Sequence, residues 1–444
     1  MQNKELKKYG VTIDDKKDDG ITVNWNKFVE QFLKLYIIIY TTLGQFYIYQ
    51  DNMYTLLREN DLMRLIKSVI DELLPNAWKS SYGYSAISIL SVVAPKVDDI
   101  NKDMERICLM NGVLNLFKNK LFSHNPKYHL TTKLPIVFDS EAKCPRFKQF
   151  LREIFEGDKQ RIRLIQEIFG YCLTNLTNAQ KCFFLLGVGA NGKSVLLHVL
   201  MKLIGEDNLS TLPLVEFESS FRRCALVDKK VNIVTEGGFK PNSFNTNQFK
   251  AVIAGDTIMA EIKGGEVFNF TPYCKIIAAL NTMPRIKDTS HGFRRRVCLV
   301  TFDKVFKPEE QNKNLSNELE AELSGILNFA LEGLRRLQKN DFNFTEPSKC
   351  KEVLDMYFDY NDPLTVFVKS NIAQADLKFK IKNKDLHAKY MEWCGERNIS
   401  TTSCDRLQFA HDIKDVLKMQ DIEFEAGISN GQRHLKGIRW KSSS

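Results

Sequence analysis

Gly187-Val188-Gly189-Ala190-Asn191-Gly192-Lys193-Ser194 gathers three glycines, a lysine and a hydroxyl into one short stretch, a spacing suited to holding phosphate. The glycines let successive backbone N–H groups turn inward on phosphate oxygens. Lys193 adds a mobile cation, and the Ser194 hydroxyl can ligand Mg²⁺. Ala190, Asn191 and Val195 complete the main chain that would line the phosphates. Gly187, Gly189 and Gly192 also satisfy the GxGxxG spacing of dinucleotide-binding folds. Lys-Ser directly after the third glycine, and no acid closing an obvious next strand about twenty residues on, favour a nucleoside triphosphate instead.

Hydrolysis of such a nucleotide needs an acid at the end of another strand, to order the metal and the attacking water. The apolar run Val231–Thr235 ends in Glu236, followed by Gly237-Gly238 for a tight exit. Glu236 is the candidate for water activation and, with Ser194, for Mg²⁺. Thr235 stands before it, where an aspartate is usual. Lys275–Leu280 reads as a buried strand that delivers Asn281, whose amide could bond both water and a terminal phosphate. Arg294, Arg295 and Arg296 open the next apolar run. Three arginines in a row are costly to bury, so they are solvated or meet a polyanion.

These residues need a frame that brings strand ends together, and from about residue 180 the texture is strand, glycine loop, helix, strand, as in α/β folds. Lys181–Leu186 reads as a strand, Ser194–Ile204 as a helix and Val297–Phe302 as a further strand. Thr246–Ala254 reads as a helix, and Thr257–Ile262 with Glu266–Phe270 as a hairpin turned by Lys263-Gly264-Gly265. Upstream, Asp158 caps a helix to Leu173, Cys144-Pro145 opens another at about Arg146–Phe155, and residues 111–124 suggest two strands about an Asn/Lys turn. Phe32–Tyr49 reads as buried strands, and Asp61–Leu74 as an amphipathic helix. Downstream, 312–338 is helical and a polar stretch within 341–361 reads as a linker.

The chain has 444 residues, 63 Lys+Arg against 54 Asp+Glu, and 43% hydrophobic residues, which excludes a mainly disordered or fibrous protein. The net charge of +9 permits a polyanionic partner without requiring one. Ten cysteines occur without CxxC spacing, which argues against zinc and for free thiols in a reducing cytoplasm. The longest apolar run is broken by Lys34 and polar residues, so no membrane partner is expected. The N-terminus has no apolar stretch behind its lysines, so secretion is not expected.

Taken together, GVGANGKS, the strand ending in Glu236, LNTMP at 280–284 and GFRRRVCLVTF at 292–302 resemble superfamily 3 helicases. The D5-like, P4-type helicase domains of phages, plasmids and pathogenicity islands are the nearest branch. The resemblance runs through NGVLNLF (111–117), LTTKLP (130–135), Asn361-Asp362-Pro363 and Tyr390-Met-Glu-Trp393-Cys394, covering residues of about 105 to 444. It implies an AAA+-like P-loop core, ATP with Mg²⁺ at subunit boundaries, a homo-hexameric ring with single-stranded DNA in its pore, and origin binding in replication of a mobile element. It further implies that Asn281 senses the terminal phosphate, that Arg295 or Arg296 is a finger acting on the neighbour, and that Lys263 touches DNA. Many P4-type proteins carry a primase; the roughly 100 residues before the resemblance are too few for one. A separate primase or host replication proteins are therefore expected partners.

The expected architecture is α/β: an N-terminal α+β region (1–104), a D5-N-like helical region (105–157), the ATPase core (158–340), the linker (341–361) and a winged-helix domain (362–444). In the last, helices at 363–371, 383–397 and 404–419 precede a basic β-like end. Thr401 to Gln408 could open a recognition helix, with Ser403, Arg406 and Gln408 available to bases or phosphates, and Arg433, Lys436 and Arg439 lie on the candidate wing. The rival readings are a nucleotide-switched DNA-binding regulator and a small-molecule phosphotransferase.

Overall fold

The computed structural model describes residues 2–13, 20–98, 100–101, 103–235, 246–262, 267–284, 291–397, 399, 405–429 and 431–441. At its centre is a five-stranded sheet in the order Leu209–Ser210, Val231–Val234, Lys275–Leu280, Cys182–Leu186, Val297–Thr301. Every pairing in it is parallel. Such a sheet must be covered on both faces, which is why its strands read as unbroken apolar runs. Side chains alternate accordingly. Phe183, Leu185, Ile233, Ile277 and Val300 point into one core, with helices Pro145–Ile154, Lys159–Cys172, Lys193–Ile204 and Leu323–Lys339. Cys182, Phe184, Val234, Ile276 and Leu299 point into the other, with helix Thr246–Ala254 and Phe358.

Local signals explain several helix ends. The Asp158 carboxylate accepts the N–H groups of Gln160 (2.9 Å) and Arg161 (3.2 Å), the cap expected from its position. Helix Pro145–Ile154 is capped from a distance instead. Glu322 accepts the N–H groups of Arg146 (3.0 Å) and Phe147 (2.9 Å).

The amino ends of two central strands hold Lys230 and Lys275, only 1% and 2% exposed. Their ammonium groups close the end of helix Lys159–Cys172. Lys230 donates to Leu173 O (3.2 Å) and Asn175 Oδ1 (2.8 Å), Lys275 to Thr174 O (2.6 Å) and Tyr273 O (2.8 Å). Burial pushes both down from 10.5 to about 7, and for Lys275 the neighbouring Lys230 adds to the effect. Between those values the folded chain binds fewer protons than the unfolded chain, so stability rises with pH across that window and is lowest below it. Urea unfolding at pH 7, 8 and 9 should show this climb, and Lys275→Met should flatten it.

Three expectations are corrected. Phe32–Leu35 is not strand; it closes helix Trp25–Leu35, because Trp25, Phe28, Val29 and Phe32 repeat at helical intervals behind an Asn24 cap. Only Ile38–Thr41 and Phe46–Gln50 of that run are strands, in a four-stranded sheet with Met53–Leu57 and Lys96–Val97. Residues 105–157 are not mainly helical: Arg106–Leu109, Gly112–Asn115 and Lys120–Phe122 form an antiparallel sheet before helix Pro145–Ile154. Within 341–361, Ser348–Asn361 is a helix against the edge strand, its Phe358 only 2% exposed. Its mixed polar composition hides that contact in the sequence.

The last part of the chain has helices Pro363–Asn371, Asn383–Glu396 and Arg406–Met419. Beside them lie a three-stranded antiparallel sheet (Lys380–Lys382, Gln432–Lys436, Glu425–Ser429) and the pair Ile372–Gln374 with Ile438–Trp440. Among the described residues no helix is long and apolar enough to cross a membrane.

Candidate active site

The glycine loop begins where the buried strand Cys182–Leu186 ends. Its entry is fixed by two backbone bonds: Gly187 N–H to Leu280 O (3.0 Å) and Phe302 N–H to Leu186 O (2.7 Å). A Cβ at Gly187 would lie 2.4 Å from Phe302 O. Gly192 has φ +86°, and a Cβ there would lie 2.6 Å from Ile154 Cγ2, so only glycine fits. Ala190 also has a positive φ, 48°, and its carbonyl is held by the Phe306 N–H at 2.8 Å. A non-glycine residue held in that region signals a conformation imposed by its surroundings.

Lys193 opens the helix Lys193–Ile204 and is 6% exposed. Its ammonium donates to Gly187 O and, at 3.3 Å, to Asn191 Oδ1. The loop N–H groups of Val188 to Gly192, and those of Ser194 and Val195 in the first helical turn, donate to no acceptor among the described residues. A cluster of uncommitted N–H donors at a helix start, beside a lysine and a hydroxyl, fits a polyphosphate and its cation.

A cleft of about 730 Å³ collects Gly189, Ala190, Asn191, Gly192, Lys193, Ser194 and Val195 with Thr235 and Asn281. Thr235 and Asn281 follow the carboxyl ends of neighbouring strands in the sheet, the edge at which parallel sheets bind ligands. Glu236 and Lys263 lie outside the described residues. The strands flanking Lys263, Ile258–Glu261 and Val267–Phe270, pair antiparallel as a hairpin, Glu261 opposite Val267.

The arginines lie at the opposite end of the sheet. Val297 faces Cys182 and Thr301 faces Leu186, so residues 294–296 sit roughly 20 Å from the loop at ~3.3 Å per residue. Their commitments differ. Arg294 pairs with Asp355 (2.7 Å) and stacks over Phe358, with 5.3 Å to the ring centre. Arg296 Nη1 donates to Gly292 O at 2.6 Å. Arg295 is exposed and its Nη2 donates to the Gln180 side chain at 2.8 Å. The structure therefore joins Lys193, Ser194 and Asn281, and separates them from Arg295 and Arg296 of the same chain.

Other wall residues escape sequence reading. Arg146 Nε donates to Glu318 (3.0 Å) and its Nη1 forms an ion pair with Glu153 (3.5 Å), and His198 Nε2 meets Glu320 Oε1 at 2.6 Å. Arg146 and His198, with Gln311 and Asn312, line the same cleft. No local spacing announces them, because Arg146 and Glu318 meet across 172 residues.

In the last part of the chain, Arg406 begins an exposed helical turn capped by Asp405. Arg433 and Arg439 are exposed, on different sheets, and Lys436 is half-buried. Residues 401–404, expected in the recognition helix, lie outside the described residues.

A family profile described as D5 N terminal like matches residues 29–156, starting well before residue 105, and one described as a family of unknown function (DUF5906) matches 185–296. A protein named as a candidate helicase from Acanthamoeba polyphaga mimivirus is 28% identical over 186 residues, 38% of this chain and 18% of that protein. Another, from Invertebrate iridescent virus 6, is 22% identical over 358 residues, 72% of this chain and 34% of that protein. The chain thus spans about a third or less of these relatives' length. Among solved structures, an apo form of the NrS-1 C-terminal region superposes with TM-score 0.55 at 15% identity, covering 93% of this chain and 98% of that one. A second apo structure of that region gives TM-score 0.51 at 14% identity, over 92% and 98%.

Proposed function

We propose that the chain is a D5-like superfamily 3 helicase, an ATP-driven DNA helicase and replication initiator, a reading supported by the D5 N terminal like match and the helicase-named viral relatives. It works as a homo-hexameric ring with an AAA+-like P-loop core and a C-terminal winged-helix domain that docks origin DNA. The supporting observation is a division within one sheet. Phosphate-binding groups and Asn281 gather at the carboxyl edge, while Arg295 is displayed at the amino edge, too far to reach its own loop. A complete site then needs the amino edge of a second copy.

Lys193 and the loop N–H groups bind the triphosphate. Ser194 and Glu236 would hold Mg²⁺, which when bound neutralises charge on the phosphates. Glu236 takes the proton of the attacking water, and Asn281 orients that water against the terminal phosphate. Arg295 of the neighbour stabilises charge on the transferring group. Lys263 contacts the strand backbone, a task needing reach and charge but no base reading.

Strand displacement on a forked duplex, with the assembly's mass measured alongside, tests the proposal. Displacement by a ring with ATP, and none without it, is the expected result. A solitary molecule under ATP that leaves the fork paired would overturn it.

A further inference from the structure

The segment Asp376-Leu-Lys378-Phe-Lys380-Ile-Lys382-Asn-Lys384 carries a lysine at every second position. In extended chain that period puts side chains on one face, ~6.6 Å apart. The edge strand Lys380–Lys382 does this, exposing both lysines and burying Ile381 (6% exposed) over Leu435 (0%). Antiparallel register sets Lys380 opposite Lys436 and Lys382 opposite His434. The approach to the strand is fixed by backbone bonds: Ala375 N–H to Gly437 O (2.8 Å) and Gly437 N–H to Phe379 O (3.0 Å). The Asp376 carboxylate also accepts the Lys378 N–H at 3.0 Å.

These cations stand where the chain's own electrostatics disfavour them. Like charges face each other at Lys380 and Lys436, which weakens a strand pair. Lys382 is the N-cap of helix Asn383–Glu396 and Lys384 sits in its first turn, at the positive end of the dipole. The acids nearby are few. Asp376 reaches Lys378 at 3.8 Å, Glu425 lies opposite Lys436 on the far strand, and Asp385 shares the first helical turn. Among the described residues, no carboxylate comes within ion-pair distance of Lys380, Lys382, Lys384 or Lys436.

We propose that Lys378, Lys380, Lys382, Lys384 and Lys436 form a track for the phosphate backbone of duplex DNA. The proposal rests on DNA being the partner, as argued above, and adds a face apart from the expected recognition helix. Lysines along an edge strand contact phosphates and read no bases, so the track sets affinity and leaves sequence choice to other residues. Lys380 and Lys382, ~6.6 Å apart on the strand face, can each meet a separate phosphate, with Lys378 in the preceding turn and Lys384 in the first helical turn on either side. A single-strand surface would align several stacking rings. Along this track Phe379 is the exposed ring, at 45%.

Anisotropy titrations of the whole chain with duplex DNA, single-stranded DNA and duplex RNA, over roughly 50–200 mM salt, test the track. Lys378→Gln/Lys380→Gln/Lys382→Gln should lower the salt slope for duplex DNA by about 2 to 3, and Lys380→Gln alone by about 0.9. Preference among duplex sequences should not change, and the melting temperature should not fall. Lys118→Gln/Lys120→Gln/Lys127→Gln, which removes the same charge from another exposed surface, should leave the slope unchanged. An unchanged slope in the track variants, an equal loss in the control, or a loss confined to single strands or RNA would overturn the track alone. Failure to bind any DNA would overturn both it and the proposed function.

Discussion

Lys193→Met is expected to lower ATP turnover by ~10²–10³-fold, the range seen when one preorganised donor to a developing charge is lost. Methionine keeps the buried stem of a side chain that is 6% exposed, so the loop and helix Lys193–Ile204 should fold as before. Only the ammonium group goes, with its bonds to Gly187 O and Asn191 Oδ1. Steady-state phosphate release reads the loss. Duplex binding by the last part of the chain should persist, because its lysines and arginines lie outside the cleft. Joint loss of turnover and duplex binding would count against separable modules.

Arg295→Ala is expected to reduce turnover about 10³-fold or more, as removal of a finger arginine does. Nucleotide affinity at the subunit's own loop should be unchanged, because roughly 20 Å of sheet separates the two at ~3.3 Å per residue. Its neighbours should behave differently. Arg294→Ala breaks the pair with Asp355 and the stack on Phe358, so it should lower stability as well as turnover. Both Arg295 and Arg296 make a side-chain bond, but Arg295 is exposed and Arg296 half-buried, so Arg295 is the better placed to act on a second copy. Turnover assays, equilibrium nucleotide binding and thermal unfolding on the two variants separate these effects.

What could be read in advance followed from how local each signal is. The glycine loop, the strands ending at Leu186 and Leu280, and the Asp158 cap each depend on residues a few positions apart, and all lie where their spacing places them. The cleft wall depends on distant meetings instead. Glu322 caps a helix that starts at Pro145, and Arg146 is held by Glu318. Helix Ser348–Asn361 looked like a linker because only a few of its residues, Phe358 among them, touch the core. The burial of the Lys230 and Lys275 ammonium groups has no local signal, because it depends on the carbonyls of a helix end brought to them by the fold. The alternating lysines at 378–384 carry no motif, and their meaning emerges only when register sets Lys436 across from Lys380.

The central claim is that two copies complete one site, and mixing the two inactive variants tests it most directly. Lys193→Met subunits keep Arg295, and Arg295→Ala subunits keep the loop. Combined before assay, they should regain ATP turnover well above the sum of the separate preparations. A mixture no more active than that sum would contradict a site shared between neighbours.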